Sequence, residues 1–444
     1  MGDMGRPAFQ RFLTPRHLPA GRAGAVTGVR WGGDFAAWDD LLTAGRDLAA
    51  QVRPGGAYAI DPTAGLPALA ALFAVATVPD TVLLWASPRT LGVTGREIAP
   101  ALHALPDDGS VPLAAQERPL WGVCTSGSSG APKVAVGPAD EWEQIALHAE
   151  AAMYADAFPA GPPEALATCL PLGFSAAFFM CVLPALYLKR DLVVHPPHDW
   201  SPLYDLARDR RVLALGVPAL AAAACLSAPA ATDLGSVALF LGGGHLSAPR
   251  VELIRRHFTG AAVSNLYGTA ETGAIALDHD PGHNRHVGRP IPGKSVWLTG
   301  TDERGIGTVA VAGPGCCRRT WRPGSPPSAP ADHVTGTDYG RFDADGNLCL
   351  EGRLDGAEKL AGVLVRPREI ERHVLALDGV SDVRVTVETA PTGLEFLAAT
   401  VVGSVDADTV RAHCAALPEQ HRPSRISCAS EQEAATVYSA HGKL

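Results

Sequence analysis

The sequence predicts an α/β fold: a large N-terminal domain of layered β-sheets and helices, then a small α+β C-terminal domain. Three observations lead there. Short apolar runs alternate with helical patterns through most of the 444 residues, which favours parallel sheet covered by helices. Glycine turns close several of these runs, and ligands of parallel sheets lie beyond the carboxyl ends of the strands. After about residue 355 the alternation gives way to one helix, two facing strands and a second helix, so the boundary falls near Arg353-Leu354-Asp355-Gly356.

The elements follow in order. Tyr58-Ala59-Ile60 reads as a strand, Pro67 to Val78 as a helix, and Thr81 to Trp85 as a strand. Val237 to Leu241 is an apolar run that ends in Gly242-Gly243-Gly244. Ser247 then caps a helix with Val251, Ile254 and Phe258 on one face. Ala262-Val263 is a strand leading into the Asn265–Gly268 turn. Cys316 to Asp332, rich in Pro, Ser and Arg, reads as an exposed loop. FDADGNLCL is a hairpin with Asp345-Gly346 at its tip. In the last part, Pro367 opens a helix with Glu369 and Glu371 in its first turn and Ile370, Val374 and Leu377 on one face. Val383, Val385 and Val387 alternate as a strand that pairs with Leu394 to Val402. Asp406 or Asp408 caps a helix bearing Val410, Cys414 and Leu417.

Bulk properties narrow the function. A formal net charge of -9 argues against non-specific nucleic-acid binding, which needs basic neutralisation of phosphates. Nine cysteines form no C-x-x-C pair, so reduced thiols in a cytoplasmic protein are expected, with neither a disulfide framework nor a zinc site. The N-terminus lacks a signal-peptide core, and the apolar stretches at 66–78 and 213–226 are broken by Pro or Gly, so no membrane span is expected.

The most informative stretch is TSGSSGAPK, Thr125 to Lys133. Alone, it reads as either a flexible linker or an anion-binding loop. Glycines let backbone N–H groups approach phosphate oxygens, hydroxyls add donors, and Pro132-Lys133 supplies stiffness and a cation. The spacing is not that of a Walker loop. The run resembles the phosphate loop of the adenylate-forming superfamily, which includes acyl- and aryl-CoA ligases and the adenylation domains of peptide synthetases.

Further segments carry the same resemblance in the same order, from about residue 118 to the end, while the first 117 residues look like a compressed family N-terminus. NLYGTAETG, Asn265 to Gly273, resembles the family's Tyr-Gly-x-Thr-Glu segment. The likeness implies that Tyr267 stacks on adenine and Glu271 helps bind Mg²⁺, with Asn265, Gly268 and Thr269 lining the nucleotide. A flat ring and a hard carboxylate suit those tasks. Ala270 departs from the pattern, where a Thr hydroxyl usually meets the α-phosphate. GRPIPG, Gly288 to Gly293, looks like a structural turn of the family. By the same likeness Asp338 accepts from both ribose hydroxyls, Arg353 touches ribose or phosphate, and Asp355 is the hinge between a 1–353 AMP-binding domain and a mobile 356–444 lid. Lys359 and Gly362 lie in KLAGVLVRPREIE, which faces the active site in one lid orientation. Lys443, in the terminal SAHGKL, matches the family's catalytic lysine, although the usual preceding Pro is missing.

The implied reaction is attack of a carboxylate on the α-phosphorus of ATP, pyrophosphate release, and transfer of the acyl group. Lys443 bridges the two anions. Thr125, Ser126, Gly127, Ser128, Ser129, Gly130 and Lys133 hold phosphates, with Gly243 and Gly244 beside the nucleotide. In amino-acid-activating relatives a Phe-Asp-x-Ser segment pairs with the substrate ammonium. Here LGFSAAFFM puts Ser175 in place of that Asp, so an aryl or acyl acid is expected over an α-amino acid. Phe174, Ser175, Ala177, Phe178, Met180, Gly243, Gly244 and His245 form the expected pocket, although this segment also reads as core helix, and His245 equally as a bystander. The expected partners are ATP, Mg²⁺, a small acid, and CoA or a carrier-protein thiol. Two alternatives stay open: non-thiol chemistry, by an amide ligase or a nitrite-activating diazotase acting on an aryl amine, and a nucleotide-binding remnant without turnover.

Overall fold

The computed structural model describes residues 26–434 apart from 110, 112, 114–118, 126–131, 228–229, 245, 283–285, 354–357, 361–362 and 390–394. The chain is a mixed α/β fold. Two large sheets sandwich helices, a four-stranded antiparallel sheet adjoins them, and a three-stranded sheet follows near the C-terminus.

The first large sheet has nine strands. Its parallel centre is built by Gly28–Trp31, Asp191–Val194, Ala165–Thr168, Val212–Gly216, Val237–Gly242 and Ala262–Thr269. The apolar stretch at 213–226 thus divides into a buried strand and the Pro218–Ser227 helix. The second large sheet has seven strands, with Ala57–Ile60, Val82–Trp85 and Leu120–Thr125 parallel at its centre. Residues of both sheets and the intervening helices share one core, in which Trp85, Trp121, Phe178 and Phe240 are at most 1% exposed. Phe178 is the hub: its ring lies 5.1 Å from Trp85, 5.7 Å from Trp142 and 5.4 Å from Phe179.

Three local expectations need correction. The Ala262 strand runs on through Thr269, because Gly273–Asp278 pairs with it antiparallel; Asn265–Gly268 is therefore strand, with a bulge between Tyr267 and Gly268. Cys316–Asp332 is not wholly exposed. Arg319–Trp321 pairs with Lys133–Pro138 at the edge of the seven-stranded sheet and buries Trp321 completely. Ser247 stands at the N-cap of the Ala248–His257 helix, but its side chain makes no capping bond.

The C-terminal strands have their own core. Val380–Thr389 pairs antiparallel with Glu395–Gly403, and Arg425–Ala429, which no sequence signal marked, adds a parallel third strand. Val374, Val383, Val401 and Val410 pack there with each other and, among the described residues, with side chains from Val365 onward. Asp406 caps the Ala407–Cys414 helix by accepting from the Thr409 N–H. Glu371 is more than a first-turn acid: it is 1% exposed, accepts from the Val385 N–H at 2.9 Å and pairs with Arg368 at 3.1 Å. All nine cysteines are free, and Cys428 alone among them is exposed. Among the described residues no helix is long and apolar enough to cross a membrane.

Candidate active site

The site lies where the two large sheets and the four-stranded sheet meet. Strand Leu120–Thr125 ends at Thr125, and its antiparallel partner begins at Lys133, directly opposite. The loop joining them was expected to hold phosphate; Ser126, Gly127, Ser128, Ser129 and Gly130 lie outside the described residues. Lys133 Nζ sits 2.8 Å from Oε1 of Glu271, with the side chains 28% and 18% exposed. Glu271 occupies the tight turn after Thr269, so this ion pair ties one large sheet to the other. A backbone bond reinforces it, from the Cys317 N–H to the Glu271 carbonyl at 2.7 Å. Burial first, and then the Glu271 carboxylate, push the Cys317 thiol up to about 12, so it stays protonated beside the pair.

Tyr267 faces the four-stranded sheet. Its hydroxyl donates to Oδ2 of Asp338 at 2.6 Å. Asp338 lies opposite Arg353 in the pair formed by Val334–Phe342 and the edge strand Leu348–Arg353, which sets the two backbones side by side. Asn265 lies two residues before Tyr267 on the same strand face. Gly268 admits no side chain, because a Cβ there would stand 2.4 Å from the Gly273 carbonyl oxygen. The tyrosine–glutamate turn therefore depends on glycine for its close strand pairing.

The neighbour of the departing Ala270 is already engaged. The Thr269 hydroxyl lies 3.0 Å from that of buried Thr272, which also accepts from the Thr269 N–H at 3.3 Å. Beneath this turn lies a residue that sequence reasoning missed. Lys294, just after the Gly288–Gly293 turn, donates to the Thr272 carbonyl at 2.6 Å and lies 3.7 Å from Cys316 Sγ. Burial lowers its ammonium pKa, partly offset by Cys316. Its only signal is a lysine following Pro-Gly in a segment otherwise poor in lysine.

The expected pocket is partly corrected. The short Ser175–Ala177 helix touches the Leu120–Thr125, Ala262–Thr269 and Gly273–Asp278 strands, so Phe174 and Ser175 border the site. Gly243 has φ +76, and a Cβ there would lie 3.9 Å from Phe174 Cζ and 3.7 Å from Val217 Cγ1. Gly244 follows, on the same turn. Phe178, Ala177 and Met180 are core instead: each is at most 4% exposed, and Phe178 is enclosed by Trp85, Trp142 and Phe179. His245, Asp355, Gly362 and Lys443 lie outside the described residues.

A family model described as "AMP-binding enzyme" matches residues 66–321, more than half of the chain. The chain belongs to the AMP-binding enzyme family. Among curated members, novobiocin biosynthesis protein H of Streptomyces niveus is 29% identical over 326 residues, 67% of this chain and 51% of its own length. Tyrocidine synthase 2 of Brevibacillus parabrevis is 28% identical over 43% of this chain, a match that spans only 6% of that synthetase. The fold is shared with ATP-bound MatB from Rhodopseudomonas palustris, at TM-score 0.70 and 19% identity over 99% of this chain and 97% of that one. It is also shared with an anthranilate CoA ligase bound to anthranoyl-AMP, at 0.67 and 15% over 99% and 95%. The amide bond synthetase McbA from Marinactinospora thermotolerans matches at 0.62 and 20%, over 94% of each chain.

Proposed function

We propose that the chain is an ATP-dependent ligase that adenylates an aryl or acyl carboxylic acid, releases pyrophosphate, and passes the acyl group to the thiol of CoA or a carrier protein. The observation that carries this reading is the Lys133–Glu271 pair, at the exit of the Ser/Gly loop and one turn from the Tyr267–Asp338 hydrogen bond. Membership of the AMP-binding family gives that cluster its chemistry.

Two anions must be brought together, so preorganised cations and N–H groups do most of the work. The backbone of the Thr125–Lys133 loop and the Lys133 ammonium take the β- and γ-phosphates, and Lys133 leaves Glu271 to do so. The Tyr267 ring covers adenine. Asp338 exchanges the tyrosine hydroxyl for the ribose hydroxyls, an acceptor role its two oxygens suit. Lys443 bridges the incoming carboxylate and the α-phosphate. A single carboxylate such as Glu271 fits Mg²⁺ held largely by phosphates and water, and the bound ion would neutralise phosphate charge. Ala270 offers no hydroxyl and Thr272 holds that of Thr269, so the α-phosphate has one donor fewer, a loss of about 1.5–3 kcal/mol. No carboxylate replaces Ser175 to pair with an α-ammonium, which favours an aryl or acyl acid.

ATP–pyrophosphate exchange with a panel of aryl, acyl and amino acids and nitrite tests the reading. Exchange is expected with an aryl or acyl acid, and exchange with none of the panel refutes adenylation. Lys443→Ala is expected to slow exchange at least about 100-fold while ATP still binds. An amine acceptor is the second reading, favoured by the fold shared with an amide bond synthetase. Mass analysis of products formed with CoA, or with an aryl amine, distinguishes the two.

A further inference from the structure

Among the buried charges that the proposed chemistry leaves unused, one group joins distant parts of the chain. Arg250, on the Ala248–His257 helix of the nine-stranded sheet's side, is 1% exposed. Its partners lie far along the chain. Nη1 is 2.8 Å from Oδ2 of Asp382, on the first strand of the C-terminal sheet, and Nε is 3.6 Å from Oε1 of Glu431, just past the last strand. Both carboxylates are prepared by the C-terminal unit itself. Oδ1 of Asp382 accepts from the Val383 N–H at 2.8 Å, leaving Oδ2 for the guanidinium. The Ser381 hydroxyl lies between the Glu431 carboxylate and the Val402 carbonyl, 3.0 Å from the latter, and its one proton is offered to these two acceptors. Asp382 stands at the register shift of its strand, a distortion that re-aims a side chain. The Ala248–His257 helix packs against this strand.

A second ionic contact lies nearer the chain junction. Arg372, on the Pro367–Leu375 helix, pairs with Glu351 and donates to its carbonyl oxygen at 2.5 Å. That guanidinium is 48% exposed, and only 21 residues separate the partners. The two contacts differ in kind. The Arg372 pair is local and solvated, so it is weak and persists through modest reorientation. The Arg250 cluster is remote and dry. Buried ion pairs contribute little net stability against their desolvation cost, yet they demand one geometry, since a displaced partner leaves an uncompensated charge.

We propose that Arg250 is a positioning residue that docks the C-terminal unit on the Ala248–His257 helix through Asp382 and Glu431, and that its release is a step of the catalytic cycle. Such a latch sets one orientation without fusing the units, because the three charges are rehydrated on opening. It acts on whichever half-reaction the docked orientation serves. That last clause rests on the proposed ligase function; the docking itself does not.

The test compares Arg250→Met, which keeps stem volume but removes the charge, with the exchange Arg250→Asp/Asp382→Arg. Arg372→Met serves as the control. Hydrogen exchange over residues 248–257 and 380–385 reads docking without substrates, and small-angle scattering reads the overall dimension. Arg250→Met is expected to raise exchange at both segments at least 10-fold and to enlarge the radius of gyration. Arg372→Met should do neither, and the charge exchange should restore protection. With an acid that supports pyrophosphate exchange, Arg250→Met is expected to alter the ratio of adenylation to product formation at least 10-fold. Unchanged protection in Arg250→Met overturns the latch. Lost protection with an unchanged ratio overturns its place in the cycle. Lost protection with no pyrophosphate exchange from the unaltered protein keeps the docking and refutes the ligase reading.

Discussion

The two large sheets and the C-terminal sheet are joined to the rest of the molecule by opposite means. Trp85, Trp121, Trp142, Phe178 and Phe240 fuse the large sheets through a shared, buried apolar core. Among the described residues the C-terminal core gathers side chains from Val365 onward, and its ionic contacts outward are those of Arg250 with Asp382 and Glu431 and of Arg372 with Glu351. Apolar burial scales with area and imposes no preferred angle of release, whereas a charge cluster is orientation-specific and nearly neutral in net energy. The difference teaches that one junction is made to stay and the other to be remade.

Four perturbations break or sharpen this contrast, in falling order of effect. Glu271→Ala is expected to slow ATP–pyrophosphate exchange by about 10²-fold or more, as loss of a site charge does. Its pair with Lys133 is partly solvated, so denaturant titration should show a stability change under about 1 kcal/mol; a larger loss would make the pair a structural weld instead. Phe178→Ala removes the hub of the fused core and is expected to cost 3–5 kcal/mol in the large body, by the usual scale for buried Phe truncation. The C-terminal transition, followed by hydrogen exchange at residues 396–402, should not move with it. Asp406→Ala deletes a helix cap and is expected to cost about 1 kcal/mol in the C-terminal unit alone. The smallest effect is on acidification. Burial holds the His195 pKa below its ordinary 6.5. The unfolded chain therefore takes up a proton as pH falls through 6.5 while the folded chain does not, so stability drops from that point downward. His195→Gln should flatten the fall in melting temperature, measured by calorimetry between neutral pH and pH about 5.

Much of the alternation was legible, because strand–turn–helix signals are local: Val82–Trp85, Leu66–Ala76 and the Asp406 cap all lie where composition placed them. Long-range pairing was not. The strand through Tyr267 looked like a turn because Gly268 and Asn265 are poor strand formers, and only the partner strand Gly273–Asp278 extends it. Trp321 is buried by pairing with Lys133–Pro138, a contact that no local run of Pro, Ser and Arg reveals. Within the candidate site, Lys133, Glu271, Tyr267 and Asp338 were marked by the family likeness of their segments, and the structure pairs Lys133 with Glu271 and Tyr267 with Asp338. Lys294 was invisible because its role is to satisfy a carbonyl from beneath, which depends on the fold of three segments. The likeness that suggested a pocket left Phe178 open between pocket and core, because only the tertiary fold shows that its ring meets the Trp85 and Trp142 indoles.

The single exposed thiol has a practical meaning. Cys428 lies on the outer strand of the C-terminal sheet, while the eight other thiols are shielded to varying degrees. A maleimide dye would react there first, because reagent access limits thiol alkylation. The unaltered chain thus carries a natural fluorophore anchor on the very element whose orientation is in question, and single-molecule spectroscopy could follow its excursions without an engineered tag.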